Sequence, residues 1–152
     1  MRRRDGFTLV ETLIVVVLMG LLVLMAFPKM SSAMVRNDLR GARTSMVNLV
    51  AKARTVAAQS GRRAWIKFEG NTAHVLARPR LTVAGAGDAD TVGAIQDLAE
   101  VYKVGVDASV DSIQFDPTGI GTGLGAEVAT IVLVRGDYSS TITIDGLGRV
   151  TK

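Results

Sequence analysis

An α+β fold is predicted: a long N-terminal helix, apolar in its membrane half and amphipathic in its second half, packed on an antiparallel β-sheet domain. Three observations predict it. From Phe7 to Pro28 the only charged side chain is Glu11, and the 17 residues from Thr12 to Pro28 carry none. Beyond that run Val35, Leu39, Ala42, Met46, Leu49, Ala53 and Val56 recur at spacings of 4 and 3, the period of one helix face. After Ser60 the chain changes to short β-branched runs joined by Gly-Asn and Gly-Asp pairs, which mark hairpins.

At about 1.5 Å per residue the run from Thr12 to Pro28 spans roughly 25 Å, and adding Phe7 to Val10 carries it past a hydrocarbon core of roughly 30 Å. This segment can therefore cross a bilayer. Arg2, Arg3 and Arg4 precede it, so the positive-inside bias puts the N-terminus in the cytoplasm and everything after Pro28 across the membrane. A secretory signal peptide starts in the same way but needs a small-x-small cleavage site, and the nearest candidate, Leu24-Met25-Ala26, places a bulky residue where a small one belongs. Cleavage there and a plain uncleaved anchor both leave Glu11 unexplained, because a carboxylate in a membrane helix costs about 2.5 to 3.5 kcal/mol and usually marks a partner. A cut between Gly6 and Phe7 would supply one: a free amine one helical turn before Glu11. Paired between neighbouring helices, amine and carboxylate would also set the register of a packed array.

These residues, the Arg-rich leader, Gly6, Phe7-Thr8-Leu9-Val10-Glu11 and the long apolar helix, resemble the class III leader of type IV pilins and pseudopilins. The resemblance implies that a prepilin peptidase cuts after Gly6 and methylates the amine of Phe7. It also implies that Glu11 pairs with the amine of the next subunit during filament assembly, and that other major and minor pseudopilins are partners. The expected organisation is a leader over 1–6, a transmembrane and assembly helix over 7–28, an amphipathic helix over 29–61 and a periplasmic β-rich domain over 62–152. Pro28 stands where such helices bend, losing one backbone bond, and Gly20 where they loosen on assembly.

In the domain, Ala64 to Glu69 and Ala73 to Ala77 flank Gly70-Asn71 as a first hairpin, and Ile113 to Phe115 is a short strand. Ala129 to Val134 and Tyr138 to Ile144 flank Gly136-Asp137 as a second hairpin. Asp90 is expected to cap a short helix carrying Val92, Ile95, Leu98 and Tyr102, with Gly85 to Asp90 as loop. The run Ile113 to Gly119 and the closing Gly148-Arg149-Val150 resemble the GspH/FimT branch of the pseudopilins. That likeness implies a minor subunit of a type II secretion pseudopilus supporting protein secretion; the alternative is a FimT-like minor pilin of a type IV pilus for pilus biogenesis, twitching or DNA uptake.

Composition narrows the chemistry. With 152 residues, 48% of them hydrophobic and 21% charged, the chain is one modest ordered domain rather than a disordered one. The lack of Cys excludes a disulfide scaffold, a thiolate metal site and a Cys nucleophile. His74 is the only His, so a His-based metal site or a Ser-His-Asp triad would rest on one residue inside a strand. Gly119, Gly121, Gly123 and Gly125 invite a phosphate-loop reading, but no Lys-Ser or Lys-Thr follows and the next segment is a strand. No enzyme activity, cofactor or metal is expected.

The net charge of +4 hides a dipole: residues 29–80 carry 11 basic and 2 acidic side chains, while residues 81–152 carry 4 basic and 10 acidic ones. Arg36, Arg40, Arg43, Lys52 and Arg54 are expected to form a basic helix face, with Arg62 and Arg63 nearby. Two contacts are open for it: anionic headgroups of the inner membrane, or DNA phosphates. The resemblance adds a C-terminal Gly-Arg-x-Arg patch that serves DNA capture in some FimT-like minor pilins. Gly148 and Arg149 match it, Thr151 stands in place of the second Arg, and Lys152 follows. Trp65 and Tyr138 could stack on bases or pack in the domain.

Overall fold

The computed structural model describes residues 7–78, 81–82, 85–86, 89–122, 124 and 127–151. It divides into two compact units, Met1–Arg36 and Asn37–Lys152. One helix, α1 (Leu9–Ser60), supplies most of the first and begins the second. Thr8 starts it: the Thr8 Oγ1 accepts the Glu11 N–H at 3.2 Å, and the Thr8 carbonyl accepts the Thr12 N–H at 3.2 Å. The Thr8 hydroxyl thus satisfies one of the first-turn donors that a helix leaves unpaired, and the Thr12 N–H makes the first regular helical bond. The helix passes Pro28 without interruption, although proline has no N–H to give the Leu24 carbonyl. Within this first unit the apolar side chains stay uncovered, with Leu9 79%, Leu24 73% and Phe27 74% exposed.

In the second unit the remainder of α1 turns a small-residue stripe inward. Leu39, Ala42, Met46, Leu49, Val50, Ala53 and Ala57 are buried, so the expected face is present, with Val50 and Ala57 taking a larger part than Val56. Full burial of a side chain such as Met46 or Leu49 is worth about 1.5 to 3 kcal/mol. After Ser60 the chain reverses into β1 (Ala64–Glu69) and β2 (Thr72–Ala77), an antiparallel hairpin in which Ala64 pairs with Ala77 and Glu69 with Thr72. A small separate ladder, β3 (Leu81–Thr82) with β4 (Gly85–Ala86), follows where loop was expected.

The next stretch departs from its sequence reading. Asp90 caps no helix: it lies in β5 (Asp90–Thr91), which pairs with Leu76 and Ala77 of β2. Then β6 (Gln96–Asp97) adds to the other end of β2, and the helix that does form is α2 (Leu98–Tyr102). Its cap is Asp97, which accepts the Glu100 N–H at 2.9 Å, and Lys103 ends it in the left-handed region at φ 57. Strand pairing claimed the first candidate cap, and the Asp97-x-x-Glu100 spacing marks the real one.

The remaining strands are β7 (Gly105–Ala108), β8 (Ser112–Phe115), β9 (Gly121–Thr122), β10 (Ala129–Arg135), β11 (Tyr138–Ile144) and β12 (Val150–Thr151). They fall into two sheets where one was expected: β5-β2-β1-β8-β9 with β6 beside β2, and β12-β11-β10-β7. The two hairpins lie in different sheets and do not pair. Alternation places Ile66, Val75, Ile113 and Phe115 of the first sheet and Ile131, Leu133, Ile142 and Ile144 of the second in the core.

Contacts fix α1 along both sheets. Near its start in this unit, Asp38 pairs with Arg135 at the end of β10, and Ser45 bonds Gln96. Gly41 admits the Tyr102 ring so closely that a Cβ there would stand 2.7 Å from Tyr102 Cε1. Sixteen residues after Asp38, Arg54 donates from Nη2 to the Leu147 carbonyl at 2.9 Å, beyond the far end of β11. Sixteen helical residues rise about 24 Å, which matches the length of the seven-residue strands beside them.

Candidate assembly segment and charged ends

At the start of α1, Phe7 lies before the helix and is 75% exposed. Glu11 sits in the first turn with its side chain in the open, where the positive end of the helix dipole favours a carboxylate. The two residues are about one turn apart. Gly6, the expected cleavage position, lies outside the described residues, as do the rest of the leader, Lys152, Gly123 and Gly125. Thr8 was not singled out by the sequence reading, and its spacing of three from Glu11 is the signal that marks it. The run from Leu9 to Phe27 is apolar and uncovered, which one chain in water does not sustain without lipid or other helices around it.

The members of the expected basic face differ in what surrounds them. Arg36 is exposed within the first unit. In the second, Arg40 is exposed, and Arg43 is half-buried with its Nε sealed from solvent and without a hydrogen-bond partner. Lys52 reaches toward Gly93 instead. Arg54 belongs to the packing: besides bonding Leu147, its guanidinium stands 5.7 Å from the centre of the Phe115 ring. Arg149 lies in the loop that Arg54 holds, so it is separated from Arg43 by about 16 Å along the helix. Arg40 and Arg43 thus share one face of α1, and Arg149 lies toward the other end of the second unit.

Two loops close on their own aspartates at this far end. Asp116 accepts from the Thr118 N–H, the Thr118 hydroxyl and the Ile120 N–H. Asp145 accepts from the Leu147 N–H, the Arg149 N–H and the Arg149 Nε. The Thr118 hydroxyl foremost holds the Asp116 carboxyl below its ordinary value, and the Arg149 N–H foremost does so for Asp145. Gly121 packs on the Gly146 to Gly148 turn, so the described part of the glycine-rich segment is a packing contact.

Charge is sorted along the first hairpin. Beside its open end stand Arg62, Arg63 and Arg78, with Arg62 Nη1 on the Arg78 carbonyl at 2.6 Å. Phe115 pairs with Ala64 and underlies Gly148, which brings Arg149 to that end as well. Around the turn end stand Glu69, Asp97, Asp107 and Asp111: the Asp111 carbonyl accepts the Phe68 N–H, Asp97 pairs with Thr72, and the Asn71 side chain accepts the Val106 N–H. Glu69 bonds Lys67 at 2.6 Å, and that hydrogen bond, ahead of the charge attraction, lowers its pKa.

Among the described residues no group of three or more His, Cys, Asp or Glu could hold a metal ion. His74 is buried at 7% exposure, with Nδ1 lacking a partner, and Trp65 and Tyr138 are half-buried. An open polar groove of about 540 Å³ lies between α1 and the segment from Gln96 to Tyr102, lined by Arg40, Thr44, Asn48 and Gln96.

Comparison with known proteins agrees with this geometry. The prokaryotic N-terminal methylation motif matches residues 1–27. The chain carries that motif on a pilin-like fold, a long N-terminal helix with antiparallel sheets. In fold it is similar to the type IV minor pilin FimU of Pseudomonas aeruginosa, with a TM-score of 0.55 at 16% identity over 76% of this chain and 88% of that one. It is also similar to the minor pseudopilin EpsH from the Type 2 Secretion System of Vibrio cholerae, with a TM-score of 0.53 at 14% identity over 75% of this chain and 94% of that one. No curated protein sequence matches it.

Proposed function

We propose that this chain is a minor pseudopilin of a type II secretion pseudopilus. It is held in the inner membrane by the helix from Phe7 to Pro28, N-terminus in the cytoplasm and domain in the periplasm. A prepilin peptidase cuts it after Gly6 and methylates Phe7, and it then joins other pseudopilins in a filament that supports protein secretion. The observation that carries this reading is the uncovered apolar helix with one carboxylate, Glu11, a turn from Phe7, on a chain bearing the methylation motif. In the filament the helix would be covered by its neighbours, and the Phe7 amine of one subunit would neutralise Glu11 of the next. The role is structural, without catalysis.

The likeness to FimU supports a second reading, a minor pilin of a type IV pilus. Deleting the gene in its host separates them. Loss of secreted enzymes with normal pili, restored by the wild-type gene, is expected; loss of pili, twitching or DNA uptake with normal secretion would replace the first reading by the second.

A further inference from the structure

We propose that the polar groove between α1 and the segment from Gln96 to Tyr102 binds an oligosaccharide of N-acetylated amino sugars that carries a carboxylate. The site lies wholly within the second unit and asks nothing of the filament reading. The groove holds about 540 Å³, within the roughly 300 to 1,000 Å³ usual for small-ligand sites. Two rows of α1 at i, i+4 spacing border it: Asn37, Gly41 and Ser45, then Arg40, Thr44 and Asn48. The opposite wall is held in place. Ser45 bonds Gln96, the Tyr102 ring seats on Gly41, and Arg135 donates from Nη1 to the Tyr102 carbonyl at 3.1 Å. A wall fixed in this way needs little ordering when a ligand arrives.

The lining selects the ligand. Amides and hydroxyls dominate it, and Asn37, Thr44 and Asn48 are exposed. Asp38 also borders the groove but is paired with Arg135. Arg40 is exposed and makes no ion pair among the described residues. One uncommitted cation among neutral donors and acceptors calls for one carboxylate on an otherwise uncharged, polar ligand.

A smaller hollow of about 270 Å³ shares Ser45, Gln96 and Tyr102 with the groove. It adds Ile95 and Val101, 60% and 66% exposed, and the carboxylates of Asp97 and Glu100. Acetamide methyl groups can rest on the two apolar side chains, while sugar hydroxyls and acetamide N–H groups donate to Glu100. The acid of the ligand therefore points to Arg40 and away from Glu100. Extended peptides are held chiefly by main-chain ladders, and these walls offer none: α1 keeps its main chain in its own helix and β6 pairs with β2.

Titration calorimetry of the full-length chain, in a detergent without a sugar headgroup, tests the site with three probes. They are the disaccharide of N-acetylglucosamine and N-acetylmuramic acid, a hyaluronan tetrasaccharide, and chitotriose, which has the acetamides but no acid. An acidic sugar is expected to bind about tenfold more tightly than chitotriose, the factor that one charge-assisted bond supplies. Arg40→Gln should remove that advantage and leave chitotriose unchanged, while Asn48→Leu should weaken all three. Both residues are exposed, so an unchanged Tm is expected of each variant. A lead for the muramic disaccharide makes the source a cell-wall glycan, and a lead for hyaluronan an acidic exopolysaccharide. No heat from any probe, or an acidic preference that survives Arg40→Gln, would overturn the site. Tighter binding of an acidic pentapeptide than of either acidic sugar would also overturn it, in favour of a protein partner.

Discussion

Arg54 in α1 donates to the carbonyl of Leu147, 93 residues later, at 2.9 Å. That bond joins the helix to the loop after β11. The same guanidinium faces the Phe115 ring, so one side chain ties α1 to both sheets. Replacing Arg54 by Ala should destabilise the domain by about 1 to 3 kcal/mol, because the Leu147 carbonyl loses a charged donor. Replacement by Lys should rescue little, since a point charge cannot bond the carbonyl and face a ring at once. Thermal unfolding of the detergent-solubilised chain measures both.

Gly148 makes that closure possible. Its φ is +75, and a Cβ there would stand 2.6 Å from Phe115 Cε1 and 2.9 Å from Arg54 Nη2. Gly148→Ala should therefore cost at least as much as the Arg54 change, on the order of 1 to 3 kcal/mol for the backbone strain alone. A Tm equal to wild type would contradict the close approach.

Acid should loosen the same end of the domain. The Asp116 and Asp145 carboxyls are held below their ordinary value of 3.8 by hydrogen bonds that are stronger to the ionised forms. A carboxylate with a lowered folded pKa stabilises fully above its unfolded pKa and loses that contribution as pH falls through the folded one. Stability should thus be flat above about pH 5 and fall below pH 4. Asp145→Asn should lower the plateau and flatten the acid limb. An acid limb as steep as that of wild type would contradict the assignment.

Glu11→Ala should leave insertion and cleavage intact while incorporation into the filament drops. Membrane fractionation and sheared-filament immunoblots measure the two steps separately. Normal incorporation would defeat the pairing of Glu11 with the Phe7 amine.

What the sequence revealed and what it hid follow from the range of the interactions. The bounds of β1 and β11 were legible because alternation and the Gly-Asn and Gly-Asp turns are local signals. The amphipathic half of α1 was legible because its stripe repeats at one period. Asp90 was misread because its fate depends on Leu76 and Ala77, to which it pairs across the sheet. Arg54 read as one more surface base because its partner lies 93 residues away. The sorting of charge to opposite ends of one hairpin shows only when the folded turn at Asn71 brings Asp97, Asp107 and Asp111 together.

Everything proposed for the membrane segment depends on the bond between Gly6 and Phe7. Intact mass and N-terminal sequencing of the protein extracted from host membranes test it directly. A chain that begins at Phe7 and carries one added methyl group is the expected result. A chain that still begins at Met1, in a host with an active prepilin peptidase, would contradict processing and with it the assembly of this protein into a filament.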